Sequence, residues 1–236
     1  MMRLELKDIH TYYGSSHILF GIELAVSEGQ VVCLLGRNGA GKTTTMRTIM
    51  GLARATEGAI VFNGRNLIGM EPYQIAALGI GFVPDDRLIF PDLTVRENLE
   101  IAGRKGPGAE KFDWTVEKIY DLFPVLRPLD RRLGAYLSGG EQQMLTVGRT
   151  LMGNPLLLLL DEPVEGVAPI VVQELSDKIL KLKSMGLTIL MAEQNLRFAT
   201  RISDFAYVID KGRIRYQGTM QELALDDEVK RKYLMI

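Results

Sequence analysis

A glycine-rich stretch between an apolar run and a helix-forming run places the strongest constraint on how this chain folds. It reads Gly-Arg-Asn-Gly-Ala-Gly-Lys-Thr-Thr at residues 36–44, which fits the spacing G-x-x-x-x-G-K-[ST]. The preceding residues 30–35 are mostly apolar and predict a buried strand, and residues 44–52 lack proline and predict a helix. This order of strand, glycine turn and helix is the context in which a loop binds phosphate.

The chemistry of this loop follows from its backbone. Glycine has no Cβ, so consecutive N–H groups can turn inward and surround phosphate oxygens. The helix that follows adds its unpaired N-terminal N–H groups and the positive end of its dipole. Lys42 would supply a mobile positive charge for the β- and γ-phosphates, and the Thr43 hydroxyl would bind Mg²⁺. The alternative is a chance glycine-rich turn with an exposed lysine. Such a turn would not require the flanking strand and helix, so their presence favours the phosphate-binding loop.

Composition indicates an ordinary globular protein. Of 236 residues, 47% are hydrophobic and 24% are charged, which suits one large domain or a core with a subdomain. The net charge of −1 argues against binding nucleic acid through a broad basic face. The single cysteine, Cys33, is predicted to pack in the apolar strand. The longest aliphatic run, residues 156–160, is far shorter than the ~20 residues that span a bilayer.

The apolar pattern predicts an α/β fold. Residues 3–9 and 18–26 alternate apolar and polar positions, which is typical of half-buried antiparallel strands. Later runs such as residues 156–160 are continuously apolar and alternate with helices, as in a parallel sheet covered on both faces. We therefore predict a parallel-sheet core with an antiparallel β subdomain.

Between residues 85 and 153 the β pattern gives way to helical periodicity. This predicts a helical subdomain at 85–153 inserted into a single domain of residues 1–236. The nucleotide-binding core would comprise residues 1–84 and 154–225, and residues 226–236 would form a short C-terminal helix. Within the insert, Gly-Pro-Gly at 106–108 predicts a mobile surface loop.

Two further motifs carry chemistry. Asp161 and Glu162 follow an apolar strand and would lie at the carboxyl edge of the sheet, where open α/β sheets bind ligands. Asp161 would face Mg²⁺, and Glu162 would orient and deprotonate a water molecule in line with the γ-phosphate. Ser138 and Glu141 fit a capping box, which alone explains their spacing. The glycines between them would also expose backbone N–H groups to a second anion.

These three motifs, in this order, resemble those of ABC-type ATPases, and the resemblance covers essentially the whole chain. They are GRNGAGKT at 36–43, LSGGE at 137–141 and LLLLLDEP at 156–163. The resemblance implies an ATPase coupled to transmembrane transport, with ATP and Mg²⁺ as cofactors. It also implies that two such domains pair head to tail. Each ATP would then lie between one chain's glycine loop and the other chain's signature helix.

The resemblance assigns roles to matching positions. The catalytic residues would be Glu162, Gln194 and Lys42. Mg²⁺ would be held by Thr43, Asp85 and Asp161. The nucleotide would be bound by Tyr13, Gly36, Asn38, Gly39, Ala40, Gly41, Lys42, Thr43, Thr44, Ser138, Gly139 and Gly140. Tyr13 matches the aromatic residue that stacks on adenine, although the residues alone favour sheet packing of its ring equally.

At a finer level the chain is similar to the LivF type, the ATPase subunits of importers for branched-chain amino acids and related compounds. The similar segments are residues 83–87, 90–98, 166–169 and 192–195. This resemblance implies a second ABC ATPase as partner, either LivG-like or an identical copy. It further implies permease subunits, indirect contact with a periplasmic or extracellular binding protein, and no nucleic acid. The chain would be peripheral, on the cytoplasmic face of the plasma membrane.

Three positions depart from the general ABC pattern. Asp85 stands where glutamine is usual, Ala168 replaces an aspartate, and Gln194 occupies the position of the switch histidine. Gln194 can hydrogen-bond a γ-phosphate but cannot carry a positive charge. Because Glu162 is retained, we expect hydrolysis, with unequal sites if the partner ATPase differs. Inactivating the base in each subunit separately tests that inequality.

Several alternatives stay open on the sequence alone. The same motor could serve urea, short amides or aromatic acids, and residues 12–19 and 165–166 resemble the urea and amide branch somewhat. A soluble ABC ATPase of translation or DNA repair usually carries two nucleotide domains or a long coiled-coil insertion. A module that binds ATP without hydrolysis is disfavoured by Lys42, Asp161 and Glu162. Ile89 and Phe90 would either contact the permease or pack inside the insert.

Overall fold

The computed structural model describes residues 1–234 and contains two β-sheets. Its ten strands are β1 (Met2–Tyr13), β2 (Ser16–Ser27), β3 (Val31–Leu35), β4 (Ala55–Phe62), β5 (Arg65–Asn66), β6 (Ile80–Val83), β7 (Leu157–Asp161), β8 (Thr188–Glu193), β9 (Phe205–Asp210) and β10 (Arg213–Thr219). The first sheet has the order β2-β1-β4-β5 and is antiparallel. The second has the order β10-β9-β3-β8-β7-β6 and is parallel except for β10. The predicted combination of a parallel core and an antiparallel subdomain is confirmed.

Helices cover the sheets and connect their strands. Those of the described residues are α1 (Lys42–Ile49), α2 (Pro72–Ala77), α3 (Val95–Glu100), α4 (Val116–Leu122), α5 (Gly139–Leu151), α6 (Pro169–Ser184), α7 (Leu196–Ile202), α8 (Met220–Leu225) and α9 (Asp227–Val229). Short 3₁₀ turns lie at Pro124–Leu129 and Gly134–Tyr136, and a π-helical turn lies at Lys230–Leu234. Residues 235 and 236, the end of the predicted C-terminal helix, lie outside the described residues. Within residues 1–234, no helix has the length and hydrophobicity needed to cross a membrane.

The central strands of the parallel sheet are buried on both faces, as their uninterrupted apolar sequence predicts. Every residue of β3 is fully buried, and so is every residue of β7. Val32 and Leu34 point to one side, where they pack with α1 and the antiparallel sheet. Val31, Cys33 and Leu35 point to the other side, toward the clusters formed by the remaining helices. Helix α1 therefore lies between the two sheets, and the loop before it emerges where they meet.

The segment between β6 and β7 is mainly helical. Its one β pairing in the described residues is an isolated bridge between Thr94 and Leu133. Apolar residues of α3, α4 and α5 join the same buried cluster as Leu158 and Leu160 of β7. The helical insert at 85–153 as a separate subdomain stays a prediction, since its side chains share a core with the sheet.

The Gly-Pro-Gly stretch lies in a surface loop, as predicted, with Pro107 exposed and Gly108 buried. Gly108 donates its N–H to the carbonyl of Asn154 at 2.9 Å, and the Asn154 side chain donates to the Arg104 carbonyl at 2.9 Å. A Cβ on Gly108 would lie 2.7 Å from the Asn154 oxygen. These glycines permit close backbone packing against residues 153–155, and the mobility of this loop stays a prediction.

Candidate functional site

The glycine loop connects the end of β3 to the first turn of α1. Gly39 and Gly41 have φ values of +74° and +114°, which favour glycine over residues with a Cβ. At Gly36 a Cβ would lie 2.5 Å from the Ile209 carbonyl oxygen, so close packing excludes a side chain there. The Gly36 N–H donates to the Glu193 carbonyl at 3.2 Å, which ties the loop to β8. Together these contacts hold the loop at the carboxyl edge of the parallel sheet.

Lys42 is more confined than the mobile charge that the sequence predicts. Its side chain is 2% exposed, and its ammonium donates to the carbonyl oxygens of Gly36 at 2.8 Å and Arg37 at 3.0 Å. It also forms an ion pair with Glu162 Oε1 at 2.9 Å. A phosphate that reaches the loop must therefore compete with the Glu162 carboxylate for this ammonium.

A cleft of about 270 Å³ brings together six of the twelve predicted nucleotide-binding residues. Its lining consists of Tyr13, Ile18, Gly39, Gly41, Lys42, Thr43, Thr44 and Glu162. Gly36 and Ala40 are buried behind the loop, and Asn38 is exposed on it. Tyr13 lies at the end of β1 with 46% of its surface exposed, so its ring is available to a planar ligand. Of the two roles that the sequence left open for Tyr13, this exposure favours stacking over sheet packing.

The oxygen atoms around Asp161 suit a magnesium ion. The Thr43 hydroxyl donates to Asp161 Oδ1 at 3.1 Å, while the buried Oδ2 has no hydrogen-bond partner in the described residues. Burial, together with the negative charge of nearby Asp85, raises the pKa of the Asp161 carboxyl to about 7. Hydroxyl and carboxylate oxygens are the ligands that Mg²⁺ prefers. Within residues 1–234, no group of three or more His, Cys, Asp or Glu residues is arranged to hold a metal ion.

Glu162 leaves β7 in an unusual backbone conformation. Its φ is +46°, in the left-handed region that residues other than glycine seldom adopt. The Glu162 N–H donates to the Ala192 carbonyl at 3.0 Å, and its own carbonyl accepts the Glu165 N–H at 3.0 Å. A hydrogen bond with the carboxyl of Glu162 raises the pKa of Glu165. The strained turn thus aims the Glu162 side chain into the cleft, beside Lys42.

Glu193 is a site residue that the sequence analysis missed. It ends β8 directly opposite Leu35 of β3, and its side chain is almost wholly buried. Its Oε2 accepts the backbone N–H groups of Gln194 at 3.1 Å and Asn195 at 3.0 Å, and Oε1 has no partner in the described residues. Burial raises the pKa of this carboxyl to about 7. An acid that ends a buried apolar strand, as Asp161 does, was the signal that could have identified it.

The raised pKa of Glu193 predicts how the stability of the fold changes with pH. Because the folded protein holds this proton more tightly than the unfolded chain, Glu193 contributes stability below its ordinary pKa and loses it as the pH rises to about 7. Glu193→Gln should keep the two backbone hydrogen bonds without a charge. We expect the free energy of unfolding of the variant, relative to that of wild type, to rise by roughly 1–3 kcal/mol from pH 5 to pH 8. Urea unfolding at both pH values measures this, and parallel curves for the two proteins would contradict it. Asp161 titrates in both proteins and cancels in the comparison.

The second predicted phosphate-binding site, at the start of α5, lies apart from the cleft. Ser138 caps α5 by accepting the Glu141 N–H at 3.3 Å, and Glu141 Oε2 accepts the Ser138 N–H at 2.7 Å. The predicted capping box is therefore present. Neither Ser138 nor the glycines at 139 and 140 line the cleft that contains Lys42. The start of α5 and the glycine loop of the same chain therefore do not line one common cleft.

Comparison with known proteins gives one consistent result. The sequence pattern of the ABC transporter family matches residues 19–165. The chain is 39% identical to the high-affinity branched-chain amino acid transport ATP-binding protein BraG of Pseudomonas aeruginosa, covering 98% of this chain and 99% of that protein. It is 35% identical to the lipopolysaccharide export system ATP-binding protein LptB of Haemophilus influenzae, covering 99% and 98%. The crystal structure of MJ1267, an ATP-binding cassette of an ABC transporter in its ADP conformation, superposes with a TM-score of 0.81 at 30% identity and 98% coverage of both chains.

Proposed function

The chain belongs to the ABC transporter family as an ATP-binding, ATP-hydrolysing subunit, and from that premise we propose that it powers an importer of branched-chain amino acids. The observation that supports hydrolysis in this chain is the placement of Lys42, Thr43 and Glu162 around one cleft. The amino acid substrate rests on the similarity to BraG and on the LivF-like segments of the sequence. Urea, short amides or aromatic acids are alternatives that use the same motor chemistry.

The residues in and around the cleft have separate roles in ATP hydrolysis. The glycine-loop N–H groups and Lys42 hold the phosphates, and Tyr13 stacks on adenine. Thr43, Asp161 and Asp85 would hold Mg²⁺, which would neutralise charge on the phosphates. Glu162 accepts the proton of the attacking water as the bond to the γ-phosphate forms and the bond to the ADP oxygen breaks. Gln194 donates a hydrogen bond to the γ-phosphate, and the Glu193 carboxylate holds its backbone in place.

A second ATPase subunit completes each site in this proposal. Ser138, Gly139 and Gly140 begin a helix whose N-terminal N–H groups suit a phosphate, yet they do not line their own chain's cleft. Members of this family work as dimers with permease subunits. We therefore place these three residues against the nucleotide of a partner ATPase, either a LivG-like chain or an identical copy. A binding protein on the far side of the membrane would deliver the substrate.

The permease would dock beside the segment that follows β6. There, 47% of Phe90 is exposed, with the Arg149 guanidinium 4.9 Å from its ring centroid. Ile89 is partly buried and packs against the main apolar cluster. The sequence left open whether these two residues contact the permease or pack inside the insert. Ile89 packs inside, whereas Phe90 faces outward and is available to the permease. A neighbouring groove of about 440 Å³ between Ile80 and Ile101 would receive a helix of the permease.

Replacing Phe90 with alanine tests this docking surface. We expect the isolated variant to keep its melting temperature and ATPase rate, because about half of the ring already faces solvent. We expect transport in reconstituted vesicles to fall by about tenfold or more, since exposed aromatic anchors dominate interface energy. Leu225→Ala, which trims an 85% exposed leucine on α8, is the matched control. Intact transport with a destabilised subunit would show that Phe90 serves packing instead.

Purification of this chain from detergent-solubilised host membranes tests the proposed function as a whole. Two distinct permeases and a second, non-identical ATPase would support the heteromeric importer, and the associated binding protein could then be screened with leucine, isoleucine, valine, urea and short amides. Co-purification with components of lipopolysaccharide export would favour the activity named for LptB. Ribosomes or DNA, without any membrane protein, would contradict a role in transport.

A further inference from the structure

Arg87 lies where three segments of the site meet. Its φ is +58°, a left-handed backbone conformation that residues other than glycine seldom adopt. The Thr146 hydroxyl of α5 donates to the Arg87 carbonyl at 2.7 Å, and Arg149 of the same helix donates to the carbonyl of Leu88. Two hydrogen bonds from α5 therefore hold the backbone of Arg87 in this conformation.

The Arg87 side chain reaches away from its own segment to the turn that carries Glu162. Its Nη2 donates to the Glu165 carbonyl oxygen at 2.9 Å, a contact with backbone rather than with a carboxylate. Glu165 is the residue whose N–H closes the turn onto the Glu162 carbonyl at 3.0 Å. The guanidinium consequently holds the far end of the turn, while the Lys42 ion pair holds the Glu162 carboxylate.

The other face of the guanidinium packs against the start of α5. A Cβ on Gly139 would lie 2.7 Å from Arg87 Nη1, and a Cβ on Gly166 would lie 3.6 Å from Nη2. This distance places the guanidinium directly beside Gly139, although the flexible end of an arginine could shift to admit a Cβ there. The side chain thus fills the space between the signature glycines and the turn after β7.

We propose that Arg87 is a positioning residue that fixes the turn Glu162–Glu165 relative to the start of α5. Its backbone moves with α5, and its guanidinium moves with the turn, so a displacement of either is transmitted to the other. Since Arg87 lies three residues before Phe90, a permease that shifts this segment also shifts the carboxylate of Glu162. This inference rests on the proposed role of Glu162 in hydrolysis. Displacing a reacting group by about 1 Å can cost on the order of 10²-fold in rate.

The test compares Arg87→Ala, Arg87→Lys and the control Arg127→Ala, each in the full-length chain purified in complex with its partner ATPase. Arg127 pairs with Glu117 at 2.7 Å and Asp121 at 3.0 Å, away from the site. We expect Arg87→Ala to bind a fluorescent ATP analogue within twofold of wild type while kcat falls by roughly 10–100-fold. Arg87→Lys keeps one donor for the Glu165 carbonyl and loses the planar contact with Gly139, so its kcat should lie between the two. Arg127→Ala should hydrolyse ATP like wild type.

Amide hydrogen exchange separates positioning from general stability. In Arg87→Ala we expect faster exchange at residues 164–167 and unchanged exchange at residues 117–121, with the reverse in Arg127→Ala. Equal kcat values for Arg87→Ala and Arg127→Ala would overturn the inference while the ATPase stands. If Arg87→Ala folds poorly, Arg87→Lys decides the matter, because an unaltered kcat and unaltered exchange would overturn it. A wild-type complex that binds ATP without hydrolysing it would overturn the proposed function as well.

Discussion

Glu162→Gln is expected to bind ATP at least as tightly as wild type and to hydrolyse it ~10²–10⁴-fold more slowly, the usual contribution of a general base. The amide preserves the shape of the side chain but cannot accept a proton from water. It also removes the negative charge that pairs with Lys42 at 2.9 Å. With that competitor neutralised, the ammonium is free for the phosphates, so affinity should not fall.

Single-turnover hydrolysis and equilibrium binding of ATP, measured on the same preparation, check this result. Glu174→Gln on the exposed face of α6 is the matched control, since it changes the same group outside the site and should leave both quantities unaltered. A variant that keeps hydrolysis within about threefold of wild type would show that another group accepts the proton. Weaker binding of ATP would show that the Glu162–Lys42 pair supports the loop and does not compete with the ligand.

The confinement of Lys42 illustrates what the motifs could and could not predict. The glycine motif and its flanking runs predicted a strand, a loop and a helix in this order. In the structure the strand is Val31–Leu35, the helix is Lys42–Ile49, and the loop connects them. Local spacing carries that information because the turn and the helix start are formed by neighbouring residues. The partner of Lys42, Glu162, is distant along the chain, and no local pattern identifies which of several acids will face the ammonium.

Glu193 and Arg87 were missed for different reasons. The Glu193 side chain accepts the N–H groups of the next two residues, and its local signal, an acid at the end of an apolar strand, was not used. Arg87 contacts segments that are distant in sequence, because its side chain lies between the start of α5 and the turn after β7. The apolar runs predicted the strands correctly, but the order in which parallel strands lie side by side is decided by packing. At Gly106–Gly108, glycine and proline predicted the loop but could not reveal which backbone the loop packs against.

The turn between β9 and β10 holds the two halves of the cleft together. A substitution in this turn is expected to have the largest effect on stability. Gly212 donates its N–H to the Ala40 carbonyl of the glycine loop at 2.8 Å. Its own carbonyl accepts the Phe20 N–H of β2 at 2.8 Å. This residue therefore joins the phosphate-binding loop to the strand hairpin that carries Tyr13. Its φ of +70° and its close approach to the Ile18 carbonyl oxygen leave no space for a Cβ.

Gly212→Ala is accordingly expected to lower the free energy of unfolding by about 3–5 kcal/mol, from left-handed strain and steric overlap together. Gly64→Ala is the control, because Gly64 has a φ of +78° with open space around its Cβ position and should lose only about 1–2 kcal/mol. Urea denaturation of both variants separates the two contributions. Because the turn must move to relieve the overlap, Gly212→Ala should also weaken ATP binding, whereas Gly64→Ala should not. Equal losses of stability in both variants would mean that the turn adjusts freely and does not fix the loop against the hairpin.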